Sequence, residues 1–159
     1  MRCGVCDHTL LCVPPDRFTH TVHLSTLPER AWVMLQEPET WGGIAGVQRV
    51  FDAHHHPDGT LRSYRFLAEA GMKPYEGSAK TIEADPPALM VVTVDAAEFE
   101  GTITTELQPS NPHGTDMTVS LTIRPRGMLA IMFFPIVSKA IGSGFSRQID
   151  ELAERMEKT

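Results

Sequence analysis

Cysteine is confined to the first twelve residues of this 159-residue sequence, at Cys3, Cys6 and Cys12. The remaining chain therefore has no thiol with which to build a disulfide framework. Basic residues are also scarce, because 14 Lys and Arg stand against 20 Asp and Glu, which leaves a formal net charge of −6. This balance argues against a nucleic-acid partner, since such proteins neutralise phosphates with a basic face. It also argues against strong attraction to an anionic membrane surface.

Long apolar runs are missing too. The longest, from Met128 to Val137, contains Pro135 and falls well short of the roughly 20 residues that span a bilayer. The N-terminus lacks the long apolar core of a secretory signal. We therefore expect no stable membrane insertion and a cytoplasmic location.

Familiar catalytic signatures do not occur. The sequence has no nucleophile elbow, no glycine-rich phosphate loop and no paired-carboxylate motif. Gly142-Ser143-Gly144 lies within a helical pattern and does not follow a strand, so it is not a phosphate-binding loop. We expect no cofactor.

What the chain does contain is the composition of a folded domain. Hydrophobic residues make up 42% and charged residues 21%, which is enough apolar material for a core. Residues 1–16 differ from the rest and end in a stiff stretch that contains Pro14-Pro15. We interpret them as an extension, and residues 17–159 as one domain.

Strand and helix patterns follow one another in a simple order. Arg17 to Leu24 alternates polar and apolar residues, as a half-buried strand does. Thr26, with Glu29 as a capping-box partner, predicts the start of a helix, and a short helix or turn follows at 39–46. Six strands with proline- and glycine-containing turns are predicted over 47–124. Apolar residues then recur at helical spacing in the last segment: Ile141, Phe145, Ile149, Leu152 and Met156.

This order predicts an α+β fold in which a curved, seven-stranded antiparallel sheet wraps around the long C-terminal helix. A bent sheet and a straight helix cannot touch along their whole length. The wedge left between them is a natural apolar cavity.

Several segments, in this order and spacing, resemble the START/Bet v 1-like (SRPBCC) superfamily, in particular its bacterial polyketide cyclase/dehydrase and lipid-transport type. The resemblance covers Phe18 to Glu157. It is carried by Val22-His23-Leu24-Ser25 before Pro28-Glu29-Arg30-Ala31-Trp32, by Pro38-Glu39-Thr40-Trp41, by Asp85-Pro86-Pro87, by Glu106-Leu107-Gln108-Pro109 before Gly114-Thr115, and by Arg126-Gly127 before the last helix. It implies a helix-grip fold whose cavity is roofed by the first half of that helix, Met128 to Ile141.

The predicted function is the binding of a small hydrophobic molecule, such as a lipid, isoprenoid or polyketide, by a monomer or homodimer. Large apolar and methionine side chains suit such a site because they adapt to varied shapes. The predicted ligand-binding residues are Trp41, Tyr64, Phe66, Met72, Tyr75, Met117, Met128, Phe134, Val137 and Ile141.

An enzyme of the cyclase or dehydratase kind is the first alternative. It requires at least two proton-carrying groups inside the cavity. The candidates are His20, Tyr64, Tyr75 and Arg62.

A metal-dependent interaction module is the second alternative. Cys3, Cys6, His8 and Cys12 form an acceptable zinc ligand set, but all four fall within ten residues, whereas zinc sites usually join separated turns. His54 and His56 share a strand face beside a turn, where solvent exposure is normal. We therefore predict no metal site at either place.

Overall fold

The computed structural model describes residues 14–70 and 73–158. Its elements follow the predicted order of one strand, short helices, six strands and one long helix, with three short helical segments where two were expected. They are β1 (Asp16–Leu24), α1 (Pro28–Leu35), two 3₁₀ helices (Pro38–Trp41 and Ile44–Gly46), β2 (Val47–His55), β3 (Leu61–Ala70), β4 (Lys73–Asp85), β5 (Leu89–Ala96), β6 (Phe99–Ser110), β7 (Gly114–Pro125) and α2 (Met128–Glu157).

Within these residues, seven strands form one curved antiparallel sheet in the order β1-β7-β6-β5-β4-β3-β2. From β2 to β7 each strand pairs with the next in sequence, and β1 adds to the sheet beside β7. The helix α2 packs against the inner face. The predicted α+β helix-grip fold is therefore confirmed.

Strand alternation explains which face carries the core. In β7 the side chains of Met117, Val119, Leu121 and Ile123 are all buried, whereas Asp116, on the opposite face, is exposed. One face of each strand must be covered because its apolar side chains repeat every two residues. The long helix supplies most of that cover.

The start of α1 differs from the prediction. The residue that caps the helix is Leu27, Pro28 occupies the first turn, and no side chain caps the backbone. Proline at this position needs no hydrogen-bond acceptor for its nitrogen and has a helical φ already. Thr26 lies in the turn between β1 and α1, and its carbonyl accepts a 2.7 Å hydrogen bond from Thr115 Oγ1, which ties this turn to β7.

The helix α2 begins at Met128, and Pro135 lies inside it. Its second half is buried against the sheet, but its first half presents large apolar side chains to solvent. Over 18 residues its mean hydropathy is 1.6, so by length and composition alone this described helix could cross a membrane, which the interrupted run in the sequence did not predict. Of this 18-residue stretch, 39% is buried, because part of it packs on the sheet.

Candidate ligand cavity

A partly enclosed cavity lies between the inner face of the sheet, the 3₁₀ segments and the middle of α2. Its volume is only about 40 Å³. The cavity is thus narrow. Its wall consists of Trp41, Ile44, Ala45, Val47, Tyr64, Phe66, Ala68, Val94, Phe99, Ile103, Leu121, Ile123 and Ile141.

One wall is the segment from Trp41 to Val47, which we call the rim segment. Its first residue is fixed by the Trp41 indole, which donates a 3.0 Å hydrogen bond from Nε1 to the Leu35 carbonyl. Gln148 Oε1 on α2 accepts a 2.8 Å hydrogen bond from the Ala45 backbone nitrogen. The Arg155 guanidinium donates to the carbonyls of Thr40 and Gly42 at 3.2 and 2.8 Å. The second half of α2 therefore holds the rim segment in place.

The rim segment requires unusual backbone conformations. Gly43 and Gly46 have φ values of 86° and 80°, and Ala45 between them has a φ of 51°. Such values suit glycine, which has no Cβ to clash. A Cβ at Gly46 would also stand 2.0 Å from the Glu69 carbonyl oxygen, so this glycine lets the rim segment touch β3.

The opposite wall comes from the sheet. Tyr64, Phe66 and Ala68 alternate along β3 and share its buried face. Phe66 lies across from Gly77 on β4, and a Cβ at Gly77 would stand 2.5 Å from the Phe66 ring. The missing side chain at Gly77 therefore makes room for that ring on the cavity wall.

The polarity of the wall is low. Of the described residues that line the cavity, only Trp41 and Tyr64 carry a polar side-chain atom, and the Trp41 nitrogen is already bonded to Leu35. Burial raises the pKa of the Tyr64 hydroxyl well above its usual value, because the phenolate would lose its water shell. This side chain is consequently a neutral hydrogen-bond donor at any physiological pH.

Tyr64 makes no side-chain hydrogen bond with the described part of the chain, and its oxygen faces the cavity. In that part, Thr105 Oγ1 is the one buried side-chain N or O that is both fully enclosed and without a partner. The Tyr64 oxygen also lacks a partner there but is not fully enclosed, so part of it borders open space. Tyr64 is only 5% exposed, so that space is the cavity.

The structure brings four of the predicted ligand-binding residues together on the wall: Trp41, Tyr64, Phe66 and Ile141. Four others are buried but do not line the cavity: Tyr75, Met117, Phe134 and Val137. Of these, Tyr75 supports the wall, since its ring packs edge-on against Phe99 with centroids 5.2 Å apart. Met128 is 78% exposed and lies away from the cavity, and Met72 lies outside the described residues.

The catalytic candidates do not converge. His20 bonds Asp150 on α2 through Nε2 at 2.8 Å, at the edge of the sheet, and the Arg62 side chain is exposed. Tyr75 packs behind the wall. Of the four candidates, all of them in the described part of the chain, Tyr64 alone lines the cavity.

The metal candidates fall in two parts of the chain. Cys3, Cys6, His8 and Cys12 lie outside the described residues. Across residues 14–70 and 73–158, no group of three or more His, Cys, Asp or Glu side chains could hold an ion. His54 and His56 are exposed, whereas His55 between them bonds the Gln36 carbonyl at 2.9 Å.

Sequence reasoning missed the polar residues that position the cavity. Gln36 is 7% exposed, and its side chain accepts from the Leu61 nitrogen and donates to the Trp32 carbonyl, which ties α1 to β3. Gln148 and Arg155 lie on what reads as the polar face of α2. Their partners are backbone atoms more than 100 positions away, and no local pattern in the sequence indicates them.

Comparison with known proteins adds information about the fold. No family model and no curated protein sequence matches the chain. Solved structures do match. A START superfamily protein from Mycobacterium smegmatis superposes with a TM-score of 0.70 at 15% identity, over 89% of this chain and 97% of that one.

Two further solved structures are similar. A protein from Thermus thermophilus gives a TM-score of 0.70 at 15% identity, over 89% of this chain and 97% of its own. An aromatase/cyclase from a Streptomyces species gives 0.59 at 11% identity, over 91% and 87%. Together with the order of strands around the long helix, these likenesses show that the chain has the START/Bet v 1-like fold.

Proposed function

We propose that this protein binds a small hydrophobic molecule in the cavity between the sheet and α2. The observation that carries this proposal is the composition of the wall, in which apolar side chains meet around open space and no described lining residue is charged. A densely packed core normally has few voids larger than water. An apolar space of this kind therefore favours a guest over solvent.

Burial of apolar surface provides the driving force. Each Å² removed from water contributes about 25 cal/mol before the free energy of ordering is subtracted. The cavity volume is only about 40 Å³, so a ligand larger than a few water molecules must push the walls apart. We expect the ligand to be compact or flexible, and its identity among lipids, isoprenoids and polyketides to depend on how far the walls yield.

Binding is better supported than catalysis. Among the solved structures with this fold is an aromatase/cyclase, so the same cavity can belong to an enzyme. Cyclase or dehydratase chemistry needs a proton acceptor and a donor near the substrate. Tyr64 alone of the four candidates reaches the cavity, and its raised pKa makes it a poor base. The cytoplasm remains our proposal for the location.

A neutral apolar dye tests the proposal. N-phenyl-1-naphthylamine, added to the purified protein, should bind near one equivalent with enhanced fluorescence. Replacing Ala68, which lines the wall, with Leu should fill the cavity and weaken binding at least fivefold. Ala84→Leu, on an exposed position of β4, is the matched control and should leave binding unchanged.

Two outcomes would contradict the proposal. One is the absence of saturable dye binding together with no mass above that of the bare chain in native mass spectrometry of gently purified protein. The other is equal dye affinity in the wild type and Ala68→Leu, because the dye would then bind outside the cavity.

A further inference from the structure

The polarity of the ligand follows from the one unpaired polar group on the described wall. Tyr64 is 5% exposed, lines the cavity, and its hydroxyl bonds no described residue. A hydroxyl that is buried away from water without a hydrogen-bond partner destabilises the folded protein. An arrangement of this kind is favourable when a ligand atom completes the hydrogen bond.

We infer that the ligand is an uncharged, mainly apolar molecule with an oxygen acceptor, such as a ketone, ester or alcohol, and that Tyr64 Oη donates a hydrogen bond to that oxygen. This inference rests on the proposed function and adds the chemical class of the ligand. Trp41 cannot replace Tyr64 in this role, because its only donor is bonded to the Leu35 carbonyl.

Charged ligands are excluded by the same wall. A carboxylate in this cavity would meet no positive side chain among the described lining residues, and Tyr64 could satisfy only one of its acceptor positions. An unpaired ion is strongly disfavoured in an apolar site. The cavity should therefore discriminate between a fatty acid anion and the matching neutral ketone.

Three naphthalene probes of similar shape test this selectivity at pH 8: 2-acetylnaphthalene, 2-ethylnaphthalene and 2-naphthoate. Calorimetry should show that the ketone binds the wild type about five- to tenfold more tightly than the ethyl compound, as one hydrogen bond provides. Tyr64→Phe should remove that difference, because it takes away both the donor for the ketone and the hydroxyl that the ethyl compound leaves without a partner. The naphthoate should bind more weakly than either neutral probe.

The outcomes separate this inference from the proposed function. Equal binding of ketone and ethyl compound to the wild type, or the same preference in Tyr64→Phe, overturns the role of Tyr64 while the cavity remains a binding site. Tighter binding of the naphthoate overturns the neutral class. Failure of every probe to bind overturns both proposals.

A second, independent observation concerns the surface of α2. Its first half exposes a stripe of apolar side chains, with exposed fractions between 53% and 78%, which we call the α2 stripe. The stripe consists of Met128, Leu129, Met132, Phe133 and Ile136. Single exposed apolar residues are ordinary, but a contiguous patch of this kind marks an interaction surface.

The geometry points to a second copy of this chain as the occupant of the α2 stripe. The five side chains present roughly 600 Å², close to the 800 Å² or so that each partner contributes to a standard interface. No charged residue occurs between Gly127 and Ser138. Two stripes can therefore pack antiparallel about a two-fold axis near Met132 without burying a charge.

An anionic membrane is a poorer partner for this surface. The formal net charge of −6 gives the protein no general attraction to an anionic bilayer. Arg126, at the start of the stripe, is already engaged by Asp95 and Glu100 at 2.7 and 2.9 Å. Self-association requires no basic residues, because apolar area provides its driving force.

Sedimentation velocity tests the dimer. The wild type at about 20 μM should sediment as a dimer, and Met132→Lys should be monomeric, because the two-fold axis would place two ammonium groups together. Ile82→Lys, a similarly exposed apolar position on β4, is the control and should remain dimeric. Circular dichroism establishes that both variants are folded.

A monomeric wild type at 200 μM would overturn this inference, as would a dimeric Met132→Lys. Flotation of a monomeric wild type with phosphatidylcholine vesicles, lost in Met132→Lys, would assign the stripe to a bilayer and would equally overturn the dimer.

Discussion

The ring of Phe18 on β1 lies directly against Gly142 on α2, where a Cβ would stand 2.6 Å from ring atom Cε1. The same ring packs tilted against Phe145, with centroids 6.0 Å apart. A glycine inside a helix lowers its stability by about 1 kcal/mol relative to alanine. Here it allows the edge strand and the long helix to approach each other.

Replacing Gly142 with Ala should therefore destabilise the protein by about 1–3 kcal/mol, in spite of alanine's better helix propensity, because the added methyl overlaps the Phe18 ring. Urea unfolding followed by circular dichroism measures the change. Gly144→Ala is the matched control, since its Cβ would meet side-chain ends rather than a ring, with Gln148 Nε2 at 3.2 Å and Arg147 Nη2 at 3.7 Å. A smaller loss for Gly142→Ala than for Gly144→Ala would refute this account of the contact.

Thr105 on β6 offers a stabilising substitution. It is 1% exposed, and its hydroxyl is fully enclosed without a partner among the described residues. Thr105→Val keeps the shape and removes the unpaired hydroxyl, so unfolding should require about 1–2 kcal/mol more. The control is Thr115→Val, which should lose about 1–2 kcal/mol because the Thr115 hydroxyl bonds the Thr26 carbonyl. Both values come from urea denaturation, and equal effects in the two variants would count against the argument.

Alkaline pH should lower stability through Tyr64. Burial raises the pKa of this group in the folded state, while the unfolded chain releases the proton near pH 10. The folded state thus binds more protons above that pH, and the free energy of unfolding must fall as pH rises. The contribution is fully present below pH 10.

The variant Tyr64→Phe isolates this effect. Its free energy of unfolding, measured in urea between about pH 9 and 11, should fall less steeply than that of the wild type. Parallel curves for the two proteins would show that Tyr64 does not carry the alkaline transition.

Gly46 tests the backbone of the rim segment. With a φ of 80° and a Cβ position 2.0 Å from the Glu69 carbonyl, Gly46→Ala should lose more than about 2 kcal/mol and weaken dye binding. Gly59→Ala has a similar φ of 90° but open space around it, so it should lose only about 1 kcal/mol and bind the dye normally. Similar losses of stability in the two variants would show that the positive φ alone, and not the contact with Glu69, causes the effect.

Strand alternation made most of this fold predictable. Tyr64 and Phe66 share a face because side chains alternate along any strand, and that face proved to line the cavity. The sequence predicts Met128 over the cavity only if the apolar run faces inward throughout. The helix instead turns its first residues to solvent, and a run that is apolar on every side contains no periodicity that would show this.

Other features depend on contacts that no local pattern records. The helix α1 starts at Pro28 rather than at the Thr26 capping box, and the Leu27 carbonyl accepts the first hydrogen bonds of the helix, from the nitrogens of Arg30 and Ala31. The narrowness of the cavity depends on how closely side chains from distant strands approach, and a sequence gives their order but not their separation.

The hydrogen bonds from Gln148 and Arg155 to the rim segment and the residue before it all end on main-chain atoms, at Thr40, Gly42 and Ala45. The side chains of Ile44 and Val47 can therefore be exchanged without removing these bonds. Ile44 and Val47 could be replaced by larger or smaller apolar residues to reshape the chamber while its attachment stays intact. In this wall, side-chain atoms therefore determine which ligand fits, whereas main-chain atoms hold the wall in place.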